Sequence, residues 1–126
     1  MANSKKILVV DDEPDMVKWL TTFFEDNGYS TLFAYDGFDG FAKARTERPD
    51  LITLDISMDR ESGIKMYRNL HDSDETSGIP VIIITGVSPE LKTFIERRKQ
   101  VDPPFAFFEK PVEQDLLLQK VQEALG

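Results

Sequence analysis

The stretch that decides the fold is PVIIIT, Pro80 to Thr85. Four β-branched aliphatic residues follow one another in it, so both faces of an extended strand would be apolar here. Such a strand is typical of the centre of a parallel sheet, where helices cover both sides. The stretch therefore predicts a buried central strand that ends at Thr85.

The rest of the chain repeats this arrangement, because an apolar run is followed by an amphipathic segment five times. The other predicted strands are Lys6–Val10, Tyr29–Tyr35, residues 52–54 and residues 105–108. The predicted helices run from Pro14 to a stop at Gly28, over Gly37–Thr46, over Ile64–Leu70, from a cap at Ser88, and over Glu113–Leu125. Right-handed crossovers fold such a (βα)5 chain into a single-domain, flavodoxin-like α/β sandwich. We expect a parallel five-stranded sheet in the order 2-1-3-4-5.

Length and composition set limits on the class of protein. A chain of 126 residues has the size of one domain, which we expect to span residues 1–126. It has no cysteine, which excludes disulfides and cysteine-based metal sites, and a net charge of −8, which disfavours direct binding to nucleic acid. The apolar runs are too short to cross a membrane or to serve as a signal peptide. We therefore expect a cytoplasmic protein without membrane contact.

Polar residues follow the strands that would border the point where the strand order reverses. Asp11 and Asp12 follow the first strand, Asp55 the third, Thr85 the fourth and Lys110 the fifth. Sites of open parallel sheets form beyond the carboxyl ends of the strands at this point. The sequence therefore predicts that these five side chains share one rim of the sheet.

Each of these residues also has a purely structural interpretation. Asp11 and Asp12 precede Pro14 and are suited to capping the first helix. Thr85 is compatible with an ordinary strand end, and Lys110 with a surface lysine whose stem covers apolar neighbours. The coincidence of polar groups at four strand ends favours a site over four unrelated explanations.

Three carboxylates on one rim repel one another and call for a cation. At 4 Å and an effective dielectric constant of 20, each like-charged pair costs about 4 kcal/mol. Mg²⁺, with Mn²⁺ as a substitute, suits a site that offers carboxylates and receives phosphate oxygen. The only histidine, His71, lies in a polar loop and is expected to be solvated. A carboxylate facing such an ion can form an aspartyl phosphate, with Lys110 and Thr85 holding the phosphoryl oxygens.

Four short motifs, in this order and spacing, resemble the receiver domain of two-component response regulators. They are DD at 11 and 12, LDISM around Asp55, IIIT ending at Thr85 and KP at 110 and 111. The resemblance covers Lys5 to Leu125. It implies that Asp55 accepts a phosphoryl group from a phosphohistidine on a sensor histidine kinase or a histidine phosphotransfer protein.

The same resemblance implies roles for the neighbouring residues. Asp12 and Asp55 would bind Mg²⁺ directly, Ser57 would add its backbone carbonyl, and Asp11 would act through metal-bound water. Thr85 and Lys110 would contact the phosphoryl group.

Phe107 would be the aromatic residue that turns inward when the threonine moves. The output would be a changed surface on the fourth helix, fifth strand and fifth helix, read by a downstream effector that the sequence does not identify.

Several residues depart from the family pattern. Asp59 stands where the family usually has proline, although Gly63 still matches, so the loop after Asp55 keeps its length but is expected to be less stiff. Gly86 replaces the usual alanine and should loosen its loop. Phe107 replaces the commoner tyrosine, and the segment from Thr85 to Lys110 is slightly longer than usual.

Three other functions fit parts of the pattern. An aspartate-nucleophile phosphatase usually carries its nucleophile after the first strand, with a second acid two residues on, where this chain has Ser57. A flavodoxin-like binding module would need a phosphate-binding loop after the first strand, where this chain has acids. A degenerate receiver that only binds partners would not need the full set of site residues.

We expect no output domain in these 126 residues. Whether the protein is a stand-alone receiver, a phosphorelay intermediate or a piece of a larger regulator stays open.

Overall fold

The computed structural model describes residues 4–56, 60–86 and 104–126. Five strands lie in these ranges: β1 Lys6–Val10, β2 Ser30–Ala34, β3 Leu51–Leu54, β4 Val81–Thr85 and β5 Ala106–Glu109. The same ranges contain four helices: α1 Pro14–Asp26, α2 Gly37–Glu47, α3 Arg60–Asp72 and a C-terminal helix, Gln114–Leu125. The helix predicted from Ser88 falls outside the described residues.

The strands form one sheet in the order β2-β1-β3-β4-β5, and all four neighbouring pairs are parallel. The predicted fold class and strand order are therefore confirmed. The strand order reverses between β1 and β3, so the carboxyl ends of these two strands border the crevice in which open parallel sheets bind ligands.

The sheet carries a separate apolar layer on each face, as the continuous apolar strands predict. Every residue of β4 is buried, and so is every residue of β3. Alternate strand residues point to opposite sides. One layer joins the strands to α2 and α3 through residues that include Val10, Leu54, Met66 and Ile83. The other joins them to α1 and the C-terminal helix through residues that include Val9, Leu20, Ile84 and Leu117.

The main difference from the predicted elements is the start of the third helix. The sequence predicts Ile64–Leu70, whereas α3 extends over Arg60–Asp72. Its first turn is made of polar residues. The prediction relied on the helical spacing of apolar residues, so it could not detect this turn. Because α3 begins earlier, only five residues separate the end of β3 from the helix.

The described ranges contain no helix with both the length and the apolar character needed to cross a membrane.

Candidate functional site

Hydrogen bonds that continue the sheet by one residue fix the start of each loop at the site. The amide nitrogen of Asp11 donates to the carbonyl of Ala34 at 3.1 Å, and that of Asp55 donates to the carbonyl of Val10 at 2.9 Å. Between β4 and β5, the amide of Lys110 donates to the carbonyl of Thr85 at 3.0 Å. The backbone positions of the predicted site residues are thus set by the ladder of the sheet.

The structure brings the three predicted aspartates together. Asp11, Asp12 and Asp55 each offer one carboxylate oxygen, and these oxygens all lie within 4.8 Å of one another. Asp11 and Asp55 are buried, and Asp12 is exposed. Two carboxylates are therefore held out of water beside a third that faces it.

Lys110 supplies the positive charge at this cluster. Its ammonium nitrogen Nζ lies 3.0 Å from Oδ2 of Asp11 and 3.2 Å from Oδ2 of Asp55, and its side chain is only 19% exposed. Lys110 extends from the end of β5 past the end of β4 to reach an aspartate after β3. The Lys110–Pro111 peptide bond is cis.

A fourth carboxylate, Glu13, was not predicted from the sequence. Its Oε1 atom lies 2.6 Å from the Lys110 ammonium, the shortest of the three contacts of that group, yet 63% of the side chain is exposed. Glu13 is the N-cap residue of α1 and follows directly after the two aspartates. The sequence does place Glu13 in the same loop as the two aspartates, which could have pointed to it. An acidic residue at the start of a helix is common, however, because it interacts favourably with the helix dipole.

Asp11 has two kinds of contact, but it does not cap α1 as one interpretation of the sequence had it, because the N-cap residue is Glu13. Its Oδ1 atom accepts a hydrogen bond of 3.0 Å from the backbone amide of Glu13. Its Oδ2 atom accepts a hydrogen bond from Lys110. One oxygen therefore orders the turn before α1, and the other takes part in the charged cluster.

Burial and neighbouring charges shift the pKa values of this cluster. Burial, together with the charge of Asp55, raises the pKa of Asp11 from 3.8 to about 6, against the lowering effect of its hydrogen bonds with Glu13 and Lys110. Burial alone would lower the pKa of Lys110. Its hydrogen bonds to Glu13 and Asp11 and the charges of Asp55 and Asp11 outweigh burial, so that pKa is raised and the ammonium stays charged at neutral pH.

The acidic cluster fits a magnesium ion. Three carboxylates contact the Lys110 ammonium and a fourth, that of Asp12, lies close to two of them, which leaves an excess of negative charge in a half-buried place. Mg²⁺ binds oxygen at about 2.0–2.1 Å and usually keeps several waters, so a cluster of this width suits an ion that reaches part of its acidic ligands through water. Asp11, Asp12 and Asp55 are the residues that could hold it.

Gly63 sets the distance between α3 and the segment that follows β3. A Cβ atom at this position would lie 2.5 Å from Cα of Ile56 and 3.0 Å from the carbonyl oxygen of Asp55. Contacts this short with backbone cannot be relieved by turning a side chain. Glycine is therefore required for α3 to pack against Asp55 and Ile56.

The two predicted switch residues lie on neighbouring strands. Thr85 is fully buried at the end of β4. Phe107 lies opposite Ile83 in the β4–β5 pair and is half-buried against the apolar layer of α2 and α3. Ser57, predicted to offer its carbonyl to the metal, and Asp59 fall outside the described residues.

His71 does not belong to this cluster. It lines a cavity of about 250 Å³ that also contacts Pro80, Val81 and Phe105. These residues lie at the amino ends of β4 and β5, the edge of the sheet opposite Asp55. The sequence predicted a solvated His71 in a polar loop, and this prediction is wrong: His71 lies in the last turn of α3 and is half-buried.

Comparison with known proteins assigns this arrangement to a class. The response regulator receiver domain family matches residues 7–122. Protein PilH of Pseudomonas aeruginosa is 38% identical over 122 residues, covering 96% of this chain and 98% of PilH. The polar-differentiation response regulator DivK of Brucella anthropi is 31% identical over 122 residues, covering 97% of each chain.

The fold agrees with solved structures of the same class. The structure of the chemotaxis response regulator CheY4 of Vibrio cholerae superposes with a TM-score of 0.84 at 26% identity, covering 98% of this chain and 100% of that one. The chain belongs to the receiver domain family of two-component response regulators. This is a class of signalling domain that interacts with histidine kinases and effectors and generally binds Mg²⁺.

Proposed function

We propose that this chain is a phosphorylatable switch in which Asp55 accepts a phosphoryl group from a phosphohistidine. A carboxylate oxygen of Asp55 forms the new bond to phosphorus while the bond from phosphorus to the donor imidazole nitrogen breaks. The imidazole keeps the bonding electrons and takes up a proton, and Asp55 becomes an acyl phosphate. The donor is a sensor histidine kinase or a histidine phosphotransfer protein.

The observation that carries this proposal is the position of a buried carboxylate beside a half-buried lysine at a strand end. The Lys110 ammonium lies 3.2 Å from Oδ2 of Asp55, and the Asp55 side chain is 2% exposed. A carboxylate in this setting is oriented and has little water around it, and the ammonium is in reach of a phosphoryl oxygen on Asp55. Catalysis of phosphoryl transfer depends on such positioning and on electrostatic stabilisation.

Mg²⁺, or Mn²⁺ as a substitute, is the proposed cofactor. Asp12 and Asp55 would hold it directly and Asp11 through water, with the backbone carbonyl of Ser57 as a further ligand. When bound, the ion neutralises charge that develops on the transferred phosphoryl oxygens. The excess of carboxylates over ammonium groups supports this assignment.

Thr85 and Phe107 are the proposed switch. Thr85 would donate its hydroxyl to a phosphoryl oxygen and move toward it, and the space that it leaves would admit the Phe107 ring. Phe107 has no hydroxyl with which to anchor an outward position, so packing alone would hold it there. The result is a changed surface at β5 and the C-terminal helix, together with the helix predicted after Ser88, for a downstream effector.

The test is incubation with a small acyl phosphate, with and without Mg²⁺, followed by intact-mass measurement. The proposal predicts a Mg²⁺-dependent gain of one phosphoryl group that Asp55→Asn abolishes. Sustained turnover of unrelated phosphate esters would instead identify an aspartate-nucleophile phosphatase. Absence of any mass gain in the parent protein under all conditions would rule out the switch.

A further inference from the structure

All hydrogen-bond donors of the Lys110 ammonium group are already in use. A lysine ammonium carries three N–H donors and no acceptor. Carboxylate oxygens of Asp11, Glu13 and Asp55 lie 3.0, 2.6 and 3.2 Å from its nitrogen. The group therefore has one acceptor for each donor and none left for a new ligand.

A phosphoryl group on Asp55 brings several anionic oxygens to Lys110, and this step rests on the proposed function. The phosphorylated carboxyl of Asp55 carries no charge of its own, so the donor that it held can turn to one phosphoryl oxygen. A second phosphoryl oxygen needs the donor held by Asp11 or by Glu13. The Asp11 side chain is 2% exposed, so losing the ammonium would leave its buried charge without compensation. Glu13 is 63% exposed and can be solvated at small cost.

We propose that Glu13 is a positioning residue that holds the third donor of Lys110 in the unphosphorylated protein and yields it to the phosphoryl group. Glu13 keeps the ammonium pointed at the rim above Asp55 while no phosphoryl group is present. It also competes with that group, because both are anions that bind the same donor. Removing the Glu13 carboxylate therefore strengthens binding of a phosphoryl group or its mimic.

Beryllofluoride, a mimic of the phosphoryl group on aspartate, is the probe for the competition. It is titrated at saturating Mg²⁺ into the parent protein, Glu13→Gln and a control, Asp15→Asn, by calorimetry. Asp15 is an exposed acid in the first turn of α1 that makes no ion pair with Lys110, so the control removes the same charge nearby. We expect Glu13→Gln to bind about two- to fivefold more tightly, the size of one partly exposed ion pair, and Asp15→Asn to change binding by clearly less than twofold.

Glu13→Asp separates the contact from the charge. It keeps the negative charge but is one methylene shorter, so it loses the contact with Lys110 and is expected to bind beryllofluoride like Glu13→Gln. If it binds like the parent protein, the effect is one of charge alone and the positioning role is wrong.

A second readout needs neither metal nor beryllofluoride. Exchange of the Lys110 ammonium protons with water, followed by nuclear magnetic resonance in metal-free protein, should be several-fold faster in Glu13→Gln than in the parent and unchanged in Asp15→Asn. Equal exchange rates in all three proteins would overturn the proposed contact.

The two proposals fail in different ways. A parent protein that binds no beryllofluoride overturns the proposed function and the release of Glu13 with it. A parent protein that binds beryllofluoride, with Glu13→Gln no tighter than Asp15→Asn, overturns the release of Glu13 alone.

Discussion

The ammonium nitrogen of Lys110 lies 3.2 Å from Oδ2 of Asp55, although 55 positions separate the two residues in the chain. The strands that carry them, β5 and β3, are not neighbours, because β4 lies between them. The lysine therefore reaches across the end of the central strand, where Thr85 is buried. We therefore expect a group bound to Asp55 to lie close to the ends of β3, β4 and β5.

Asp11→Asn should remove a pH dependence of stability. Because the folded-state pKa of Asp11 is about 6 instead of 3.8, the folded protein keeps a proton there that the unfolded chain loses first. The stability contributed by this proton is fully present below pH 3.8 and is lost as the pH rises through about 6. In metal-free protein, the free energy of unfolding of Asp11→Asn should therefore rise by about 3 kcal/mol relative to that of the parent as the pH increases over this range.

Urea unfolding of the two proteins at a series of pH values measures this difference. A difference in the free energy of unfolding that stays constant between pH 4 and pH 7 would contradict the raised pKa of Asp11.

Thr53→Val should stabilise the protein. The hydroxyl of Thr53 is buried in β3, two residues before Asp55, and has no hydrogen-bond partner within the described residues. Valine has nearly the same shape without the polar atom, so the free energy of unfolding should rise by about 1 kcal/mol.

Thr76→Val is the matched control for that change. Thr76 is equally buried, but its hydroxyl donates a hydrogen bond of 2.7 Å to the carbonyl of Leu70. Its replacement should lower the free energy of unfolding by about 1 kcal/mol. Chemical denaturation that shows the same sign for both variants would contradict this account.

Gly63→Ala should disturb both the fold and the phosphoacceptor. The added methyl group would lie 2.5 Å from Cα of Ile56, so the segment after β3 must shift. We expect a loss of about 1–3 kcal/mol in stability and slower phosphorylation of Asp55 by a small acyl phosphate. Gly78→Ala is the control, because a Cβ atom there meets nothing within 4 Å. Similar unfolding midpoints for the two variants would argue against the close packing of α3.

Thr85→Ala should separate phosphorylation from its structural consequence. Asp55, Lys110 and the acidic cluster remain, so the mass gain with an acyl phosphate should persist. The hydroxyl that would pull the strand end toward the phosphoryl group is lost, so the change in amide spectra around Phe107 should shrink. The comparison is made against the parent protein in the same conditions. Full-sized spectral changes in the variant would show that Thr85 does not transmit the signal.

The sequence predicted the fold well because its apolar runs are continuous and its breaks are clear. The buried strands around Ile52 and Ile83 could be recognised from their runs of apolar residues alone. The start of α3 was missed because its first turn carries no apolar residue. Glu13 was missed because its role depends on the position of Lys110, which lies 97 positions away in the chain.

The central claim is that Asp55, held beside Lys110, carries the phosphoryl group. The most direct measurement is chemical trapping: the protein is phosphorylated with a small acyl phosphate and Mg²⁺, reduced with borohydride, and digested for tandem mass spectrometry. Borohydride reduces an aspartyl phosphate to an alcohol, so the predicted result is homoserine at position 55 only in the phosphorylated sample. Reduction at Asp11 or Asp12 instead, or an unmodified Asp55 in a sample that has gained a phosphoryl group, would contradict the account.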